Sequence, residues 1–151
     1  MIAVLAIGIA ACRKRQKGPE GDILATLKAT PINTDAFDPG SFRGKPSLLL
    51  FVSPTCHYCL AELPLAQKVA ADKGANIVAV FIAGEKQNAT GVLKHAKFTA
   101  PALLDDGSLR RRYGIRSVPL TLVLGPDGHA REQFIGAQDE ATLEEALADA
   151  K

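Results

Sequence analysis

Cysteine is scarce in this chain, with three residues among 151. A scaffold stapled by several disulfides is therefore excluded. No apolar run approaches the ~20 residues that a membrane-spanning helix needs. Neither sign of charge is in excess, since 18 Lys and Arg face 16 Asp and Glu for a net +2. Four of the basic residues, Arg13, Lys14, Arg15 and Lys17, cluster before Gly18, and without them 14 basic residues face 16 acidic ones. The body is mildly acidic, and a nucleic-acid surface is not expected. Repeats and low-complexity stretches are also absent. What remains is 47% hydrophobic and 23% charged, which excludes a disordered chain and a multi-span membrane protein. The length suits one domain with a single full core.

The N-terminus reads as an address. Residues 2–11 are apolar and Cys12 follows at once. That length suits the core of a secretory signal with small residues at the cut point. Ile9-Ala10-Ala11-Cys12 resembles the bacterial lipoprotein cleavage motif, in which the Cys becomes the lipidated first residue. No Lys or Arg precedes the run and a basic cluster follows it, which is the wrong polarity for export. A true start upstream of Met1 would reconcile the two. The expectation is a signal or anchor segment plus linker over residues 1–21, with Gly18-Pro19-Glu20-Gly21 as the linker, and one folded domain over 22–151.

From there the pattern alternates. Residues 23–30 have loose period-2 character and suggest a strand; residues 31–44 are turn-rich. Ser47–Val52 is a continuous apolar run of the kind buried on both sheet faces. Residues 56–73 show helical spacing, with a kink expected at Pro64 and a stop at Gly74. A second buried strand follows over 76–83, a helix over 89–96, a short strand over 102–104 and a short helix over 109–113. Leu120–Leu124, the turn Gly125-Pro126-Asp127-Gly128 and Ala130–Ile135 form an antiparallel hairpin. A last helix over 141–150 takes Asp139 as its N-cap. Strands joined through helices and then a hairpin describe an α/β sandwich with a mixed sheet.

The chemistry sits at Cys56-His57-Tyr58-Cys59. A C-x-x-C pair where a buried strand hands over to a helix is a strong sign of dithiol chemistry. At the helix N-terminus, unpaired N–H groups and the macrodipole stabilise a Cys56 thiolate. Cys59 lies one turn on, placed to close a disulfide. Exposed Cys56 would attack a substrate disulfide and buried Cys59 would resolve the mixed one. Half a zinc site is the competing view, but zinc takes four ligands and only Cys12, His95 and His129 remain. A purely structural disulfide is a poor staple over so short a loop. His57 is positioned to share hydrogen bonds or charge with a thiolate, which would make the disulfide more oxidising, or else it is simply exposed. Tyr58 is expected to pack or to line a substrate groove. Glu62 shares a helix face with Cys59. It is a candidate to handle the Cys59 proton, with its pKa raised by partial burial.

Taken together, Arg43-Gly44-Lys45-Pro46, the dithiol motif, Glu62, Pro64, residues 85–98, residues 114–119 and Gly136 resemble the extracytoplasmic TlpA/ResA-like thiol-disulfide oxidoreductase family. The resemblance covers about residues 22–150. It implies a thioredoxin-like three-layer sandwich, with a mixed central sheet, a C-terminal antiparallel hairpin and flanking helices. It implies a cis bond at Val118-Pro119, facing the dithiol and open to an extended substrate segment, where trans would otherwise be expected. It also implies a catalytic role for Glu62, no cofactor, and protein thiol or disulfide substrates with a membrane thiol donor. Thr55 stands where that family usually has Trp. Ser53-Pro54-Thr55-Cys56 is similar to the thioredoxin-like proteins of methylamine dehydrogenase maturation, and the His-Tyr pair is similar to oxidising and isomerising periplasmic enzymes.

The expected function is an anchored or exported, periplasmic oxidoreductase, a reductase in cytochrome or cofactor-protein maturation. Alternatives are an oxidising or isomerising protein, a copper-delivery module holding Cu(I) on Cys56, Cys59 and one His such as His129, and, lower, a peroxidase of the peroxiredoxin type.

Overall fold

The computed structural model describes residues 16–151. The apolar segment, Cys12 as the lipidation candidate, and the basic residues 13–15 lie outside the described residues. Six strands form one sheet: β1 (Thr30–Pro31), β2 (Ser47–Val52), β3 (Asn76–Phe81), β4 (Ala102–Leu104), β5 (Leu120–Leu124) and β6 (Ala130–Ile135). Their order across the sheet is β1-β4-β3-β2-β5-β6. β2 pairs parallel with β3 and antiparallel with β5, and β5 with β6 makes the antiparallel hairpin.

The apolar runs are strands because both of their faces are covered. Leu48, Leu50 and Val52 of β2 join Ile77, Ala79 and Phe81 of β3 in one core cluster. Leu49 and Phe51 join Val78 and Val80 in the other. Three helices cover the first face: α2 (His57–Lys73), α3 (Lys86–His95) and α5 (Glu140–Asp149). On the second face lie α1 (Ile23–Thr26) and α4 (Ser108–Arg112). This is a three-layer sandwich with a mixed sheet.

Helix α2 continues through Pro64 and ends at Gly74, whose φ of 63° is the left-handed geometry of a C-cap. The Asp139 side chain accepts from the Thr142 N–H at 2.9 Å, capping α5 as its sequence suggests.

One expectation fails. Residues 23–30 are not a strand; they open with helix α1, and only Thr30 begins the two-residue β1. Asp22 is the reason, because its carboxylate caps the helix at the Ala25 N–H, 3.2 Å away. Ile23, Leu24 and Leu27, spaced one and then three apart, all bury against the sheet. Gln16 bridges to Gln133 and Asp22 to His129 along the β6 edge. Gly18 is buried there, and a Cβ on it would meet the Ala130 Cβ at 2.5 Å.

Candidate active site

Strand β2 ends at Val52, and a short turn delivers Cys56 to the start of α2. The Cys56 N–H donates to the Ser53 carbonyl at 3.2 Å, and the Thr55 N–H to Ser53 Oγ at 3.4 Å. Gly84 packs on this turn, and with φ of 83° a Cβ there would lie 2.7 Å from Pro54 Cγ. Only glycine fits both the conformation and the space.

Cys56 is the N-cap of α2, with extended backbone at φ −89° and ψ 108°. Its Sγ accepts the Cys59 N–H at 3.2 Å. An orphan helix donor therefore points at the sulfur that would carry the charge. Cys56 and Cys59 are joined as a disulfide, with Cα atoms 5.3 Å apart. Cys56 is half-buried and Cys59 fully buried. The accessible sulfur thus belongs to Cys56 and the sequestered one to Cys59.

The Val118–Pro119 bond is cis. The Val118 carbonyl oxygen lies 3.7 Å from Cys56 Sγ. His57 and Tyr58 are exposed, with their rings edge-on at 5.9 Å. Among the described residues, His57 makes no hydrogen bond to either sulfur.

Glu62 is 1% exposed. Burial pushes its pKa up to about 7, opposed by the Thr121 hydroxyl and more weakly by the Gln138 backbone amide. The Thr121 hydroxyl donates to Oε1 at 3.1 Å. Oε2 makes no hydrogen bond of normal geometry with the described residues. Thr121 was missed in the sequence, where its signal was a single hydroxyl inside the apolar run Leu120–Leu124.

The structure brings together Cys56, Cys59 and Val118, with Glu62 one turn beyond Cys59. The remaining histidines lie elsewhere. His129 follows the β5–β6 turn, at the opposite end of β5 from Pro119, and its Nδ1 is 3.6 Å from an Asp127 oxygen. His95 ends α3. Among the described residues no three His, Cys, Asp or Glu side chains gather as a metal site.

Residues 41–151 match the model of the thioredoxin-like domain. The chain belongs to the thioredoxin-like family. It is 27% identical over 106 residues to the methylamine utilization protein MauD of Methylobacillus flagellatus, covering 70% of this chain and 49% of that one. It is 32% identical over 111 residues to the thiol-disulfide oxidoreductase ResA of Oceanobacillus iheyensis, covering 71% and 58%. The chain therefore spans about half the length of these curated relatives. Among solved structures, a secreted Mycobacterium tuberculosis disulfide oxidoreductase homologous to E. coli DsbE superposes with a TM-score of 0.74. It is 25% identical, with 85% of this chain and 99% of that one covered.

Proposed function

We propose that this protein is an extracytoplasmic thiol-disulfide oxidoreductase that exchanges disulfides with protein substrates through Cys56 and Cys59. The observation that carries the reading is the asymmetry of the pair: a reachable sulfur capping a helix, bonded to a buried one.

In the reducing direction the chemistry balances as follows. The Cys56 thiolate attacks one sulfur of a substrate disulfide, forming the Cys56–substrate disulfide and releasing the first substrate thiolate. Cys59, deprotonated, then attacks Cys56 Sγ. The Cys56–Cys59 disulfide forms and the second substrate thiolate leaves. Two electrons pass from the pair to the substrate. Glu62 takes the Cys59 proton, a role supported by its burial one turn away and a pKa near neutrality. The Val118 backbone pairs with the extended substrate segment; His57, Tyr58 and Pro119 line the same entry.

The placement in cytochrome or cofactor-protein maturation rests on the family resemblance carried by the motifs above. Location outside the cytoplasm rests on the N-terminal signal pattern and on the secreted M. tuberculosis neighbour. Cys12 as a lipid anchor rests on Ile9-Ala10-Ala11-Cys12. Among the described residues no helix is long and apolar enough to cross a membrane. Gln16 bridges to Gln133 within β6, opposite Leu122 at the middle of β5.

Cys59→Ser should accumulate mixed disulfides with substrates on non-reducing gels, whereas Cys56→Ser should accumulate none. A reduced wild-type Cys56 inert to thiol reagents would sink the reading. The direction is read from the equilibrium potential of the pair. A value near ~−270 mV is that of a reductant and one near ~−120 mV that of an oxidant; the reductase reading expects the former.

A further inference from the structure

A cavity of about 220 Å³ opens directly beside the Val118–Pro119 loop, on the sheet face opposite α2. Its apolar lining comes from Tyr113, Ile115, Leu120 and Ile135, and its polar lining from Arg116, Ser117 and Gln133. Ile135, on the neighbouring strand, is 55% exposed, one of only two large apolar side chains so exposed among the described residues. No acidic side chain lines the cavity. Arg116 is exposed and has no carboxylate partner among the described residues. Exposed Arg110, Arg111 and Arg112 on α4 add positive charge just upstream. The wall is held firmly: the Tyr113 and Thr26 hydroxyls hydrogen-bond to each other, and the Gln133 N–H donates to the Gln16 carbonyl at 3.0 Å.

The spacing ties this cavity to substrate. Val118 O lies 3.7 Å from Cys56 Sγ, and Arg116 is two residues earlier in the same loop. Two residues of extended chain span roughly 6.6 Å. A substrate segment running alongside the loop, with its cysteine over Cys56, places the residue two positions away beside Arg116. A long acidic side chain there would lay its methylenes on Ile115 and Ile135 and bring its carboxylate to the guanidinium.

We propose that this cavity is the substrate subsite for an acidic side chain two residues from the reactive cysteine, with Arg116 reading its charge. The inference deepens the oxidoreductase reading above and rests on it. It makes the favoured substrates protein segments with a Glu flanking the disulfide on one side only, because an extended segment crosses the loop in one direction.

The test uses the reduced full chain and short extended peptides, each carrying one Cys as a mixed disulfide with 2-mercaptoethanol. Glu, Gln or Lys is placed two residues before or after that Cys. Exchange rates are normalised to each protein's rate with the neutral bis(2-hydroxyethyl) disulfide. Wild type should prefer Glu over Lys by about tenfold at low ionic strength, on one side of the Cys, falling below about twofold in ~1 M salt. Arg116→Gln should remove the preference and Arg116→Glu should invert it. Equal rates for Glu and Lys in wild type, or a preference unmoved by Arg116→Glu, overturn the subsite. Loss of binding to phosphatidylglycerol vesicles in Arg116→Glu, with no peptide preference in wild type, also overturns it and makes the arginines a membrane contact. A wild-type protein that reduces neither the peptides nor the neutral disulfide sinks the oxidoreductase reading itself, a result distinct from all of these.

Discussion

At the scale of single residues the decisive feature is a buried carboxyl. Glu62 has a folded-state pKa of about 7 against an ordinary 4.5, chiefly from burial. A carboxyl raised in this way favours the fold while protonated. The contribution is complete below pH ~4.5, where the unfolded chain also holds the proton, and it is lost as pH rises through about 7. At 1.36 kcal/mol per unit, the loss is on the order of 3 kcal/mol. Denaturant titrations of the oxidised protein should therefore show stability falling between pH 5 and 8. In Glu62→Gln that component of the slope should vanish. A Gln variant with the wild-type slope would show that the proton resides elsewhere. The same variant should slow resolution of the mixed disulfide near and above pH 7, where Glu62 is ionised and can take the Cys59 proton, more than it slows the initial attack by Cys56; at lower pH, where Glu62 holds its own proton, the two proteins should converge.

At the scale of elements, short helices are fixed by single side chains. α4 spans only five residues, too few to persist on propensity alone. It is held by Asp105, which is buried and accepts the Leu109 and Arg110 N–H groups, both at 3.0 Å. α4 leads into the Val118–Pro119 loop, so its start sets the loop's position. Asp105→Ala should cost about 1–2 kcal/mol by denaturant melting. It should also lower exchange rates with peptide disulfides more than with a small neutral disulfide. α1 follows the same logic at four residues, capped by Asp22, whose carboxylate is also paired with Arg43 at 2.7 Å.

At the scale of the whole molecule, a two-sided sheet carries stability and an edge strand carries orientation. Leu50 is fully buried between β3 and β5, beneath α2. Leu50→Ala should cost roughly 2–5 kcal/mol in a denaturant series. The N-terminal segment contributes differently. Gln16 and Asp22 cover β6, an edge otherwise open to pairing with other chains. Gly18→Val would clash with Ala130 and should lift that segment. Amide exchange at Gln133, whose N–H donates to Gln16, should then accelerate while core amides such as those of β2 stay protected.

Much of this architecture is set locally. The continuous apolar runs of β2, β3 and β5 could only be strands buried on both faces. The turn at residues 125–128 forced a hairpin, and the dithiol spacing at a strand-to-helix junction placed Cys56 as the cap. The same local rules explain the failure at residues 23–30, where an apolar pattern too short to separate periods of 2 and 3.6 hid the Asp22 cap. What sequence position could not express is proximity between distant segments. Thr121 meets Glu62 across 59 positions, and Val118 meets Cys56 across 62. The cavity beside Arg116 exists only because α4, β5 and β6 converge there. Motif and periodicity follow from covalent order, whereas desolvation of a carboxyl and the shape of a groove depend on which surfaces packing brings together.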